Sequence, residues 1–100
     1  MNNRVAVIDE DIRGWAKKHE GELRETYSDL LKAGKNGDLP ELSSDPLIAS
    51  YCKRKKCDLF TADKKSYTHY FGSDKCPIQI RKYGFEETGK KTIFLIQVLE

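Results

Sequence analysis

One hundred residues, 34% of them charged with 18 basic and 16 acidic side chains and a net charge of +2, describe one small soluble domain. No run approaches the ~18 apolar residues of a membrane-spanning helix, and Met1-Asn2-Asn3-Arg4 carries no apolar leader, so a cytoplasmic location without a membrane partner is expected. Cys52, Cys57 and Cys76 are odd in number and lack zinc spacing, which argues against a disulfide framework or a structural zinc site and leaves reduced thiols.

The charge is unevenly spread. Residues 1–45 hold 7 basic and 10 acidic side chains (−3), and residues 46–100 hold 11 basic and 6 acidic (+5). Basic clusters stand at Lys53–Lys56, Lys64-Lys65, Arg81-Lys82 and Lys90-Lys91. A basic half beside acidic positions suits a polyanionic partner; a solvated face with no partner explains the same charges equally well.

In chain order, Arg4–Ile8 reads as a strand, with four consecutive apolar residues ending at Asp9. Residues 10–19 read as a helix with Ile12, Trp15, Ala16 and His19 on one face and Gly21 as its stop. Residues 22–33 fit either a strand or a helix. Residues 34–40 are a turn-rich loop. Ser43-Ser44-Asp45-Pro46 reads as a helix start, with Asp45 at the N-cap and Pro46 at the first helical position. That helix is predicted to run to Lys56 on a stripe of Leu47, Ile48, Tyr51 and Cys52, with Lys53–Lys56 in its last turn. A strand over 57–61 and a short helix over 64–71, ended by Gly72, come next. Strands over 77–83 and 91–99 close the chain, and their connection, residues 84–90, can close a hairpin with Gly89 predicted at positive φ. The alternation gives an α/β sandwich with a mainly parallel sheet and a C-terminal strand pair.

Two apolar runs thus end in acid, Val5–Ile8 before Asp9-Glu10-Asp11 and Leu59-Phe60-Thr61 before Ala62-Asp63. In open α/β sheets chemistry collects beyond the carboxyl ends of the strands. Adjacent parallel strands bring Asp9 and Asp63 together there, in a setting suited to Mg²⁺ or Mn²⁺. Asp45, at a helix start, is the third acid, and Asp11 is a fourth candidate.

This order of motifs resembles the PIN-like nucleases, with an Asp after the first strand, an Asp at a later helix start and a T-x-D after the next strand. The likeness is closest to a compact group of short prokaryotic chains reading roughly D-E-N-L, S-D-x-x-I and T-x-D-K-D-F. Here those places read Asp9-Glu10-Asp11-Ile12, Ser44-Asp45-Pro46-Leu47-Ile48 and Thr61-Ala62-Asp63-Lys64-Lys65-Ser66-Tyr67, within residues 4–71. The family's Asn is Asp11 in this chain, and its last acid is Lys65.

The resemblance implies a single PIN-like three-layer sandwich over residues 1–100 and metal-dependent hydrolysis of RNA. It implies Asp9, Asp45 and Asp63 as ligands of Mg²⁺ or Mn²⁺, directly or through water, with Asp11 as an added ligand. Thr61 orients a carboxylate or a water, and Lys53, Arg54, Lys64 and Lys65 grip the RNA backbone. Crowded carboxylates without metal are expected to raise an acid's pKa. The toxin of a toxin–antitoxin pair, an antitoxin partner and a homodimer are further implications.

Each residue also has a plainer role. Asp9, Asp45 and Asp63 can cap helices, Asp11 can be a solvated first-turn acid, and Thr61 can serve as a β-branched strand residue. Trp15 reads as core, His69 as surface, and Tyr67, Tyr70 and Phe71 as a cluster under a loop. Two other functions compete. One is a PIN-like module that binds without cleaving, consistent with Lys65 in place of an acid. The other is a phosphoacceptor receiver domain, echoed by Asp9–Asp11 and Asp63 but lacking the expected loop after Asp63.

Overall fold

The computed structural model describes residues 4–73 and 75–99; the leader reading of Met1–Asn3 falls outside them. A five-stranded mixed sheet is built from β1 (Val5–Ile8), β2 (Asp29–Lys32), β3 (Asp58–Thr61), β4 (Ile78–Glu86) and β5 (Lys91–Val98). Their spatial order is β2-β1-β3-β5-β4. The helices are α1 (Arg13–Lys18), α2 (Glu20–Leu23), α3 (Asp45–Lys55) and α4 (Lys64–Ser73).

The first three strands are parallel, and β5 runs antiparallel to both β3 and β4. This corrects the expectation of a mainly parallel sheet. The short link from β4 to β5 permits a hairpin but no crossover, so the longest strands of the sheet pair antiparallel.

Period-two alternation sends side chains to two faces. Ala6, Ile8, Phe60, Ile93 and Leu95 pack against Trp15 and Ala16 of α1 and Leu23 of α2. Val7, Leu59 and Ile96 pack against Ile48, Ala49 and Cys52 of α3 and Tyr67 and Phe71 of α4. The result is three layers. Every residue of β3 is buried, as a strand covered on both faces requires. On the first face Phe60 meets three aromatic rings, those of Trp15, Tyr27 and Tyr83, at centroid distances of 6.0, 5.6 and 4.9 Å.

Several local expectations change. The predicted helix over 10–19 splits into a 3-10 turn, Glu10–Ile12, and α1, because Ile12 has non-helical angles of −122° and 20°. Gly21 lies inside α2 rather than stopping a helix. The ambiguous stretch is helix up to Leu23 and strand at Asp29–Lys32. Helix α4 continues through Gly72, and β4 reaches Glu86. At the hairpin Lys90, not Gly89, takes the left-handed conformation, with φ 52°. Leu47, expected on the buried stripe of α3, is 47% exposed, while Ala49 is fully buried. Cys52 and Cys57 are buried, unpaired thiols.

Asp58 enters the sheet buried, and its Oδ2 accepts hydrogen bonds from the Tyr27 hydroxyl (2.6 Å), Arg4 Nε (3.2 Å) and Gln97 Nε2 (3.3 Å). This acid pins β1, β5 and the turn before β2 at the end of the sheet opposite Asp9. Its role is structural.

Phe60→Ala is expected to lower unfolding free energy by about 4 kcal/mol in urea denaturation, because the cavity falls among three packed rings. Leu47→Ala should stay within about 0.5 kcal/mol of wild type.

Candidate functional site

The acids gather beyond the carboxyl ends of β1 and β3. Asp9 is held there by its backbone, since its N–H donates to Phe60 O (3.0 Å) and the preceding Ile8 carbonyl accepts from Ala33 N (2.9 Å). The side chain is buried, at 6% exposure. Asp9 Oδ1 accepts from Glu10 N at 2.8 Å, which caps the 3-10 turn. Oδ2 accepts from Thr61 Oγ1 at 2.6 Å. Each oxygen keeps further acceptor capacity directed away from these donors.

Thr61 is fully buried, and its hydroxyl joins two acids. While donating to Asp9, Oγ1 also accepts from Asp63 N at 3.0 Å. Asp63 caps α4 through Ser66 N–H donating to Oδ1 at 3.2 Å. Only Ala62 separates Thr61 from Asp63, so the end of β3 fixes both groups at once.

Asp45 does not cap its helix, contrary to expectation. Ser44 occupies the N-cap with no side-chain hydrogen bond, and Asp45 is the first helical residue, followed by Pro46. Its Oδ1 instead accepts from the Tyr67 hydroxyl at 3.2 Å. Burial first, and then the charges of Asp9 and Asp45, push the Tyr67 hydroxyl far above its ordinary pKa. Tyr67 therefore keeps its proton and serves as a hydrogen-bond donor on the floor of the acid site.

Asp9, Glu10, Asp11, Asp45 and Asp63 line one open pocket of about 380 Å³. Asp11 is half-exposed and stands 4.0 Å from Lys91 Nζ, at the start of β5. Glu10 and Tyr67 are the members that the motif reading missed. Glu10 is an exposed side chain folded over Gly34, where an added Cβ would lie 2.5 Å from Glu10 Cδ. Gly34 has φ +95°, and this backbone conformation, rather than the movable Glu10 side chain, is what favours glycine there. The D-E dipeptide and the glycine-rich loop were visible in the sequence, but their contact across 24 residues was not.

The electrostatics agree with crowding. Asp9 is pushed up to about 6, by burial first and by the Asp11 and Asp45 charges in addition, against the opposing Thr61 hydrogen bond. Burial also raises Asp11; Lys91 opposes the rise, and Asp45 and Asp63 add to it. Desolvation is thus the larger cause and like-charge repulsion the smaller.

An all-carboxylate donor set suits a hard divalent cation, which would relieve that repulsion. Among the described residues, no three His, Cys, Asp or Glu side chains stand arranged to hold a metal ion. Donor chemistry fits, and ligation calls for side-chain rotation, open to the half-buried Asp45 and Asp63 and the exposed Asp11.

The predicted basic residues divide. Lys64 follows Asp63 and lies beside the pocket, and Lys65 is exposed on the same first turn of α4. Lys53 and Arg54 lie at the far end of α3, roughly 12 Å along its axis from Asp45. There Lys53 Nζ donates to Tyr70 O at 3.3 Å, and Arg54 stacks 5.7 Å from the Tyr51 ring centre. The structure does not bring these two to the acids. Trp15 is core and His69 is exposed, as expected.

No helix among the described residues is long and apolar enough to cross a membrane. Comparison with family models, curated proteins and solved structures finds no match to this chain.

The raised Asp9 pKa has a definite sign in stability. The fold binds the Asp9 proton more tightly than the unfolded chain does, so this contribution is complete below pH ~4 and is lost as pH rises through about 6. In EDTA, Asp9→Asn should therefore exceed wild type in stability at pH 7.5 by about 2 kcal/mol, with the gain vanishing near pH 4. Urea unfolding of both proteins at the two pH values checks this; equal stability throughout contradicts it.

Proposed function

We propose that the chain is a metal-dependent ribonuclease of PIN-like architecture, hydrolysing RNA phosphodiesters at the acid pocket. The observation that carries this reading is the bridge from Thr61 to both Asp9 and Asp63, with Asp45 turned to the same pocket rather than capping its helix. A capping role alone leaves Asp45 without a reason to face other acids, where each added negative charge costs stability.

Asp9, Asp45 and Asp63 are the residues to hold Mg²⁺ or Mn²⁺, with Asp11 or Glu10 able to add an oxygen. The bound ion supplies Lewis-acid charge neutralisation at the phosphate and lowers the pKa of water. Thr61 keeps the Asp9 carboxylate in one orientation, as groups behind a metal ligand do. Tyr67 does the same for Asp45. Lys64, and Lys91 once a cation relieves Asp11 of its charge, stand where they can meet phosphate oxygens. The toxin role, with a silencing partner, belongs to this reading as its biological setting.

A second reading is a PIN-like module that binds nucleic acid without cleaving. It is favoured by the absence, among the described residues, of three donors already arranged around one ion, and by Lys65 in place of an acid. The receiver reading is disfavoured, because a doubly wound receiver sheet is parallel throughout whereas β4 and β5 are antiparallel here.

Cleavage of a fluorophore-quenched, mixed-sequence RNA in Mg²⁺ and in Mn²⁺ tests the proposal. Wild type should cut in at least one metal and stop in EDTA, and Asp63→Asn and Asp45→Asn should fall to background. Thr61→Val should lose about 10–100-fold in activity or metal affinity. Folded wild type that leaves RNA intact in both metals favours the binding module, and cleavage surviving in Asp63→Asn removes the acid pocket from the chemistry.

A further inference from the structure

A groove opens on the same face of the sheet as Asp9, between α4 and the outer strand β4. Lys64, Thr68, Ile80, Arg81, Lys82 and Phe94 line it, around a volume of about 440 Å³. It adjoins the acid pocket through sequence neighbours, since Asp63 lines the pocket and Lys64 the groove.

The sheet register makes the connection concrete. Asp9 is hydrogen-bonded to Thr61. Thr61 pairs with Phe94 across β3 and β5, and Phe94 pairs with Lys82 across β5 and β4. These four residues form one row from the acid site to the edge of the sheet. Phe94 is half-buried, so one part of its ring is floor and another is accessible. Lys64 Nζ lies 5.0 Å from its centre. Arg81 and Lys82 are exposed, and neither makes an ion pair with an acid among the described residues.

Lys64 and Lys82 stand on the groove's own face, Arg81 borders it from the edge strand with its register partner Leu95 on the other face, and no acid lines it, which calls for an anion. The accessible aromatic ring calls for a flat π-face as well. A phosphodiester chain with unpaired bases supplies both, whereas a duplex keeps its base faces stacked and offers only phosphate. An acidic peptide supplies charge without a face to stack.

We propose that this groove binds a single-stranded polynucleotide, with phosphates on Lys64, Arg81 and Lys82 and one base on Phe94, along the path that leads out of the acid pocket. The direction of that path rests on the ribonuclease reading, and the binding itself does not. Lys64 swings off the ring as the base arrives, exchanging a cation–π contact for a phosphate contact.

Fluorescence anisotropy with the full chain in EDTA tests this without cleavage. The probes are labelled 12-residue single strands of RNA and of DNA and their duplexes, with poly-glutamate as competitor. A single strand should bind about tenfold or more tighter than its duplex, and the preferred of RNA and DNA names the polynucleotide. For the exposed pair Arg81→Gln with Lys82→Gln, the slope of log K against log salt should fall by about 1.4. Arg54→Gln with Lys55→Gln removes the same charge at the far end of α3 and should leave that slope nearly unchanged. Phe94→Leu should weaken single-strand binding about tenfold, with its fold checked by thermal melting.

Equal weakening by both charge pairs, duplex binding as tight as single-strand binding, or displacement by poly-glutamate as easily as by RNA overturns the groove. Binding that follows the groove variants while wild type shows no metal-dependent cleavage defeats the ribonuclease reading and leaves the groove standing.

Discussion

The hydrogen bond from Thr61 to Asp9 is the contact on which the rest of this molecule's chemistry depends. It joins the ends of β1 and β3, and it holds a carboxylate in a place that burial makes unfavourable for charge. The β1–β3 ladder brings the two residues into range, because Ile8 pairs with Phe60 and Asp9 N donates to Phe60 O. The same hydroxyl receives the Asp63 N–H and so sets the direction in which α4 begins. Helix α4 in turn supplies Tyr67, which reaches back to Asp45 at the start of α3. Four elements are thereby keyed to one side chain of β3.

This arrangement is costly for an isolated fold. Proteins tend to place such local cost at functional sites and offset it elsewhere. The offset is visible in the two apolar layers and in the Asp58 cluster, which fastens the opposite end of the sheet with three donors on one carboxylate oxygen. Two buried acids on the same sheet therefore have different fates. Asp58 has three hydrogen-bond donors, one of them the Arg4 guanidinium. Asp9 has two donors and other acids as neighbours, which a divalent cation would complement. Around the pocket the cations divide between Lys91, paired with Asp11, and the Lys64–Arg81–Lys82 groove. Arg81, Lys82 and the irregularity between Lys82 and Gly84 also discourage another strand from adding to β4.

Much of this was legible in the sequence because it is local. Apolar runs ending in acid placed β1 and β3, Pro46 placed the start of α3, and the T-x-D spacing put Thr61 and Asp63 at one strand end. What the sequence hid depends on distant partners. Asp58 looked like any strand-edge acid, since its partners lie 31, 39 and 54 positions away. The orientation of Asp45 was hidden for the same reason: a helix-start Asp before Pro reads as a cap until Tyr67, 22 positions on, claims it. The final pair was legible as a hairpin, but that its strand β5 docks antiparallel on β3 depends on pairing between distant residues, which alternation of strands and helices does not reveal. Lys53 and Arg54 were grouped with Lys64 by charge alone, yet α3 runs away from the pocket and carries them with it.

The central claim is that the acid pocket binds a divalent cation, and calorimetric titration of the metal-free protein with Mn²⁺ tests it most directly. At pH 6 wild type should bind with release of roughly half a proton, falling to almost none at pH 7.5, because metal holds Asp9 ionised. Asp9→Asn and Asp45→Asn should bind at least about tenfold more weakly. Wild-type binding should also weaken as pH falls below about 6, where Asp9 holds its proton. Absence of Mn²⁺ binding by folded wild type, or binding indifferent to both substitutions, would contradict the account.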